Sequence, residues 1–231
     1  KIIFARIKLN MRYFLEFSYS GTNYHGWQRQ PNAITVQEVI ENSLKTILRH
    51  SVSLTAAGRT DTGVHARQMF AHFDTKINKG RMLNLVYELN QFLPHDIVIK
   101  SLRPVESEAH ARFDAISRTY EYHISKNKNA FENDLHYFFK KSLDLELMNQ
   151  ASKIIINHED FKCFSKSNSD VKTYICNISQ AYWKNSTQGY VFTISSSRFL
   201  RNMVRAIVGT LVEIGLKKKT LENLEYIIES R

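Results

Sequence analysis

Strand-like and helix-like segments alternate along this chain in an order that occurs twice, and this order limits the folds available to it. In strands, apolar residues recur at every second position, whereas in amphipathic helices they recur every three or four residues. The first half shows a strand, a helix, two strands, a helix and a strand, over residues 12–19, 36–49, 52–57, 68–73, 81–92 and 96–102. It therefore predicts an α+β unit with the order β-α-β-β-α-β.

The same kinds of element restart after Pro104, although no residue-level repeat links the two halves. A strand, a helix, two strands and a helix are predicted over 117–124, 143–156, 174–183, 189–195 and 199–214. We therefore predict an α+β fold of two similar halves, each with a mostly antiparallel sheet and packed helices. The predicted domains are residues 1–105 and 106–231, with the active-site cleft between them, since clefts between domains are common binding sites.

Segment 57–66 places one carboxylate, Asp61, between a basic side chain and a glycine, directly after a predicted strand. Arg59 is close enough in sequence to favour the ionised form of Asp61, and Gly63 permits a backbone path with positive φ. An ionised carboxylate beside a cation can act as a nucleophile or as a base. By themselves, these residues fit equally well a tight turn in which Asp61 bonds its own backbone and Arg59 is solvated.

Two other kinds of site are compatible with Asp61 but are disfavoured. The triplet Asp61-Thr62-Gly63 also presents the catalytic aspartate of aspartic proteases, which need two such carboxylates sharing one proton. A single copy would require a homodimer of small all-β chains, whereas this chain has amphipathic helices. A metal site built from Asp61, His65 and His72 lacks the cysteine or Glu-His cluster typical of such centres. We therefore predict no metal.

An excess of basic residues predicts a polyanionic partner. The formal net charge is +10, and a basic surface attracts nucleic acid and binds its phosphates. On a helix over 199–214, Arg198, Arg201 and Arg205 would fall in one stripe opposite an apolar face. Such a stripe is either a solvated helix face or a phosphate-binding surface, for which the planar guanidinium group is well suited.

Aromatic residues accompany the basic ones in two places. In the strand predicted over 117–124, alternation puts Tyr120 and Tyr122 on one face, either against a core or as a platform on which an exposed base stacks. In segment 24–31, Trp27 either closes the end of the sheet, which is the interpretation we favour, or contacts a substrate.

Cysteine usage and hydropathy indicate a cytoplasmic location. Cys163 and Cys176 fit neither a zinc spacing nor a disulfide framework, which is typical of a reducing compartment. No apolar run reaches the length of a membrane span. Because the chain starts without Met while Met11 directly precedes the first predicted strand, residues 1–10 are predicted to be an upstream extension.

Taken together, five segments of this chain resemble the bacterial tRNA pseudouridine synthase A family: 24–30, 58–66, 110–113, 118–120 and 203–209. The resemblance extends from about Arg12 to Gly215. It implies isomerisation of uridine to pseudouridine at positions 38 to 40 of the tRNA anticodon arm, by a homodimer, without a cofactor. An RNA-binding module without catalysis is the alternative that the same residues leave open.

The resemblance also implies roles for individual residues. Asp61, in the first half, matches the essential aspartate, which attacks C1′, attacks C6 or removes the 2′ proton; the residues do not distinguish these steps. In the second half, Tyr120 matches the tyrosine beside the target uracil and Arg205 matches the arginine partner of the aspartate. Arg59 and Arg112 match positions near the RNA, and Arg201 joins them as a candidate substrate-binding residue because it shares the predicted stripe with Arg205.

Overall fold

The structure is a computed structural model that describes residues 11–77, 79–166 and 171–230, so the predicted extension 1–10 lies outside the described residues. The chain divides into two compact units, of which the first ends at Ala115 and the second begins at Ile116. The described residues form two four-stranded sheets and five helices. The predicted α+β class and the organisation in two halves are confirmed. None of the described helices is both long enough and apolar enough to cross a membrane.

Unit 1 has the predicted element order. Its elements are β1 (Met11–Tyr19), α1 (Val36–Leu48), β2 (Thr55–Ala56), β3 (Ala66–Thr75), α2 (Lys79–Phe92) and β4 (Ile97–Val105). The strands lie in the order β2-β3-β1-β4, and neighbouring strands are antiparallel. Strand β1 is central because it pairs with β3 on one side and with β4 on the other.

The alternation in β1 explains where the core of unit 1 lies. The aromatic and aliphatic residues at every second position of β1 are buried: Tyr13, Leu15, Phe17 and Tyr19. They join a core that includes Ile40 and Leu44 of α1 and Leu85 and Leu89 of α2. Helix α1 begins as predicted, because the Thr35 side chain accepts a hydrogen bond from the Glu38 backbone N–H.

Strand β2 is shorter than the strand predicted over 52–57, and α1 provides the reason. The Leu54 N–H donates to the Glu41 carboxylate at 2.9 Å, and the Gln37 side-chain amide donates to the Leu54 carbonyl at 3.1 Å. Side chains of α1 thus bind backbone groups that would otherwise pair with a strand, so ladder pairing is confined to Thr55 and Ala56.

Unit 2 contains β5 (Arg118–Ser125), β6 (Tyr137–Phe138), α3 (Leu145–Ile156), β7 (Ile178–Asn185), β8 (Gly189–Ser196), α4 (Met203–Gly215) and α5 (Leu221–Ser230). Its strand order is β6-β5-β8-β7, which corresponds to the order β4-β1-β3-β2 of unit 1. The edge strand beside the first strand differs between the two units. In unit 1, β4 is antiparallel to β1, whereas in unit 2 the two-residue β6 is parallel to β5. Strand β6 and helix α5 were not predicted.

Helix α4 begins four residues later than predicted. Asn202 adopts a left-handed conformation, with φ of 67°, and this backbone conformation interrupts the helix on its N-terminal side. Arg201 therefore lies in a turn, and Arg198 follows the end of β8. The prediction that Arg198, Arg201 and Arg205 form one helical stripe is wrong. The apolar side of α4 is buried as predicted, with Met203, Ile207, Val208 and Leu211 in the core of unit 2.

Residues 106–115, which the sequence grouped with the second half, belong to unit 1. The Arg12 guanidinium donates to the Ala109 carbonyl at 3.1 Å while also pairing with Asp74. The Ala111 N–H donates to Nδ1 of His72 at 3.1 Å. These two bonds attach the segment after β4 to β1 and β3.

The buried His72 makes the stability of unit 1 depend on pH. Burial lowers the pKa of His72, and the charges of Arg12 and His110 act in the same direction, whereas Asp74 and Asp114 oppose them. The folded state thus keeps His72 neutral at pH values where an unfolded histidine, with a pKa of about 6.5, is protonated. This contribution to stability is complete above the unfolded pKa and is lost as the pH falls through the folded one.

We therefore expect the free energy of unfolding, measured by urea titration, to fall by up to about 1.4 kcal/mol per pH unit as the pH decreases below about 6.5. The fall should be smaller in His72→Asn, because the amide oxygen accepts the Ala111 N–H without titrating. An equal acid sensitivity in both proteins would contradict the assignment to His72.

Candidate functional site

Asp61 lies in the loop that connects β2 to β3, between two strands as predicted. Its side chain is exposed, and so is that of Arg59. Gly63 has a φ of +76°, which confirms the predicted left-handed position. The loop therefore presents a carboxylate to solvent from the end of a sheet.

Backbone hydrogen bonds from the loop after β1 hold the Asp61 loop in place. The Trp27 N–H donates to the Thr60 carbonyl at 3.1 Å, and the Gly63 N–H donates to the Tyr24 carbonyl at 3.3 Å. These two bonds lie on either side of Asp61. Within the loop, the Val64 N–H donates to the Asp61 carbonyl at 3.2 Å. The main chain at Asp61 is thus fixed even though its side chain is exposed.

Gly26 brings the two loops into direct contact. It has a φ of +83°, and a Cβ added to it would lie 2.4 Å from the Thr60 carbonyl oxygen and 3.1 Å from the carbonyl carbon of Asp61. Only a glycine allows this approach without moving the backbone of the Asp61 loop.

Two aromatic side chains, Trp27 and Tyr19, support the contact between the loop after β1 and the Asp61 loop. Trp27 is buried, with 2% of its surface exposed, and its ring stacks on Phe17 of β1 at a centroid distance of 5.2 Å. The burial of Trp27 against β1 fits the interpretation that it closes the end of the sheet. The buried Tyr19 shares a hydrogen bond of 2.8 Å with the Thr60 hydroxyl, next to Asp61.

The Asp61 carboxylate forms no hydrogen bond and no ion pair with any described residue of unit 1. The contact with Arg59 expected from the sequence is therefore not formed as an ion pair, since Arg59 also has no salt bridge within the described part of this unit. The loop can thus offer a carboxylate to a ligand from a fixed backbone position.

The two histidines weighed as metal ligands with Asp61 have other partners in the fold. Nδ1 of His65 accepts a hydrogen bond from the Gly21 N–H at 3.1 Å, and Nδ1 of His72 accepts one from Ala111. Over residues 11–77, 79–166 and 171–230, no cluster of three histidine, cysteine or acidic side chains could hold a metal ion.

Arg112 is exposed in a turn of residues 110–114, which packs on β3. Its guanidinium carbon lies 5.8 Å from the ring centroid of Phe113, which is itself exposed. Unit 1 therefore presents one carboxylate and two candidate RNA-binding cations, Asp61, Arg59 and Arg112, on loops that follow strands.

In unit 2, Tyr120 lies on β5 and is half-buried. Its ring meets Phe199 edge to face at a centroid distance of 5.1 Å. Tyr120 and Tyr122 both pack against the core of the unit, whereas Glu121 between them is exposed. The predicted alternation is confirmed, and one side of each tyrosine ring packs against the core of unit 2.

Arg205 lies in the first turn of α4 and is exposed, whereas Arg201 is exposed in the preceding turn. Burial raises the pKa of Tyr122, and the positive charge of Arg205 acts in the opposite direction, which places Arg205 near that ring. The candidate residues of unit 2 are therefore Tyr120 on a strand, Arg205 on a helix and Arg201 in a turn.

Gly26, Tyr19 and Thr60 were not singled out as site residues by the sequence. Gly26 and Tyr19 contact Thr60, the residue before Asp61, across about 35 to 40 positions of the chain. These contacts hold the Asp61 loop in place. The only local signal was the glycine within the aromatic segment 24–31, a residue type that marks close backbone approach.

Comparison with known proteins gives a consistent result over both units. The sequence model of a family described as tRNA pseudouridine synthase matches residues 17–114 and 151–231, one segment in each unit. A protein named tRNA pseudouridine synthase A from Parabacteroides distasonis is 47% identical over 220 residues, which cover 95% of this chain and 87% of that protein.

Two further relatives carry the same name. The protein from Azobacteroides pseudotrichonymphae is 49% identical, with 95% of this chain and 88% of the relative covered. The protein from Acetivibrio thermocellus is 40% identical, with 96% and 91% covered. Because the family model matches most of the chain and these relatives are similar over nearly all of it, the chain belongs to the tRNA pseudouridine synthase family.

Proposed function

We propose that this protein isomerises uridine to pseudouridine at one or more of positions 38, 39 and 40 of the tRNA anticodon stem-loop, with Asp61 as the essential catalytic group. The observation that carries the proposal is the combination found at Asp61. Its main chain is held by hydrogen bonds on both sides, while its carboxylate is exposed and has no partner in the described part of unit 1. The relatives' name supports the tRNA substrate.

The reaction matches what such a group can do. The bond from C1′ of the ribose to N1 of uracil breaks, the base turns over, and a bond from C1′ to C5 forms, while C5 loses a proton and N1 gains one. Atoms and electrons balance within the nucleotide, so the chemistry itself needs no cofactor. What the protein must supply is an ionised group near C1′ or C6, and a fixed position for the detached base.

Tyr120 and Arg205 are proposed to act in the reaction together with Asp61. Phe199 holds the Tyr120 ring in one orientation through their edge-to-face contact. A ring fixed in this way can pack against the target uracil. We assign Arg205 the role of the cation that acts with the aspartate during the reaction, and its position in the first turn of α4 keeps its backbone fixed.

Recognition of tRNA is proposed to involve Arg59, Arg112 and Arg201, which are all exposed. A uridine in an RNA stem reacts only after leaving the base stack, so the enzyme must flip the nucleotide while cations hold the flanking phosphates. The net charge of +10 supports this role. We further propose that the enzyme works as a homodimer, and in the cytoplasm, where its tRNA substrate would be found.

The proposal is tested by incubating purified protein with unmodified tRNA transcripts and mapping pseudouridine along the anticodon arm by carbodiimide labelling and primer extension. We expect product at one or more of positions 38 to 40 and none elsewhere. Salt-sensitive binding of tRNA without product would favour an RNA-binding module instead, and product outside the anticodon arm would contradict the proposed site.

Replacing Arg205 with Ala should lower the rate of product formation more than it weakens tRNA binding. The physical reason is that a cation acting on the catalytic aspartate contributes mainly in the transition state. We expect the single-turnover rate to fall by about a hundredfold or more, with the Kd within about threefold of wild type. An equal loss in rate and binding would instead identify Arg205 as a phosphate contact.

A further inference from the structure

Two histidines hold the turn that carries Arg112. Nδ1 of His72, on β3, accepts the Ala111 N–H at 3.1 Å. Nδ1 of His110 accepts two backbone N–H groups of the turn, from Arg112 at 3.2 Å and from Phe113 at 3.3 Å. Both rings therefore act as hydrogen-bond acceptors for the main chain on either side of the Arg112 Cα atom.

The turn is closed on itself as well as attached to the sheet. The His110 N–H donates to the Asp114 carboxylate at 2.7 Å, and the Asp114 N–H donates back to the His110 carbonyl at 3.0 Å. The His110 ring lies between two others, with centroid distances of 4.6 Å to His72 and 4.2 Å to Phe113. Three aromatic rings and a reciprocal pair of hydrogen bonds thus define one conformation.

The attachment to the sheet is buried. His72 and Ala111 are 7% and 4% exposed. Arg12 adds a second connection, since it donates to the Ala109 carbonyl and binds both oxygens of Asp74 on β3. Arg112 itself is exposed, so this turn combines a rigid backbone with a cation that faces solvent.

A cation on a fixed backbone binds a phosphate with a smaller loss of conformational entropy than one on a mobile loop. We propose that His72 and His110 are positioning residues for RNA binding, which act by holding the turn of residues 110–114 so that Arg112 contacts a phosphate of the substrate. This inference rests on the proposed function, in which Arg112 is an RNA contact. The proposal gives neither histidine a contact with the reacting atoms.

The test uses full-length protein and measures the Kd for unmodified tRNA at several salt concentrations. Loss of one phosphate contact lowers the slope of log Kd against log salt by about 0.9. We expect His110→Ala and Arg112→Ala each to lower the slope by this amount and to weaken binding about tenfold or more. In the Arg112→Ala background, His110→Ala should add no further change, because its effect passes through Arg112.

Two matched replacements at His110 distinguish hydrogen bonding from mere packing. The side-chain oxygen of Asn lies near the place of Nδ1, whereas that of Gln reaches the place of Nε2. We therefore expect His110→Asn to keep the wild-type salt slope and His110→Gln to lose it. His95→Ala, which removes an exposed histidine of the same unit, is the control and should change neither slope nor Kd.

The outcomes separate this inference from the proposed function. A normal salt slope in His110→Gln, or a lowered slope in His110→Asn, would overturn the positioning role. So would a His110→Ala protein that melts at a lower temperature but binds tRNA with the wild-type slope. If wild-type protein binds tRNA without forming pseudouridine, the catalytic proposal fails, while the slopes still decide the role of the histidines.

Discussion

Replacing Asp61 with Asn should abolish pseudouridine formation while leaving tRNA affinity within a few-fold of wild type. The amide keeps the shape of the side chain but can act neither as a nucleophile nor as a base. Because the carboxylate has no partner among the described residues of unit 1, its loss breaks no ion pair there and should not destabilise the loop. We expect single-turnover rates to fall by at least about a thousandfold.

Glu106→Gln is the matched control for this experiment, since it also replaces an exposed carboxylate of unit 1 with an amide. Its rate and its melting temperature should equal those of wild type. Turnover by Asp61→Asn at more than a few per cent of the wild-type rate would exclude the aspartate as the essential group. If Asp61→Asn is inactive, trapping a covalent RNA adduct on wild-type protein distinguishes the possible steps. The bonded carbon would be C1′ or C6 for nucleophilic attack, whereas proton removal at the 2′ position would give no such adduct.

The second large effect is expected from Gly26→Ala, although Gly26 carries no functional group. Its Cβ would meet the Thr60 carbonyl oxygen at 2.4 Å, far inside van der Waals contact, so the backbone before Asp61 must move. The positive φ of +83° adds a cost of about 1 to 2 kcal/mol for any residue with a Cβ. Because displacing a reacting group by about 1 Å can lower a rate a hundredfold, we expect at least that loss in single-turnover rate.

Two other glycines of the same unit separate strain from displacement. A Cβ at Gly58 meets no atom within 4 Å, so Gly58→Ala should be nearly silent. A Cβ at Gly63 also has open space, but its φ is +76°, so Gly63→Ala should lower stability without a clash. We expect thermal melting to rank the proteins as Gly58→Ala, Gly63→Ala and Gly26→Ala, from most to least stable. A Gly26→Ala protein with wild-type activity would show that the contact between the loops does not position Asp61.

Local patterns were sufficient for the elements whose stability depends on nearby residues. The alternation in β1 and the apolar periodicity of α1 predicted both elements closely, because each pattern reflects burial on one face of a single element. Helix α5 was missed although it carries comparable signals. The Thr220 hydroxyl accepts the Asn223 N–H as a cap, and Leu224 and Ile228 form its buried side.

The errors arose where a distant contact or an unusual backbone conformation overrode the local pattern. Strand β2 is short because Glu41 and Gln37 of α1 bind the backbone of Leu54. Helix α4 starts late because Asn202 is left-handed, which apolar spacing does not reveal. The predicted helical stripe of arginines failed for this reason, and only Arg205 lies on the helix.

The sequence by itself determined the α+β class, the order of most elements, the loop that carries Asp61 and the resemblance to a family that the comparisons then confirmed. These follow from periodicity and from contiguous motifs, which are properties of neighbouring residues. Only the tertiary structure revealed that Gly26 touches the Asp61 loop and that His72 and His110 hold the turn around Arg112. Two of these contacts join segments more than thirty positions apart, and the third depends on a ring orientation, so no local pattern encodes them.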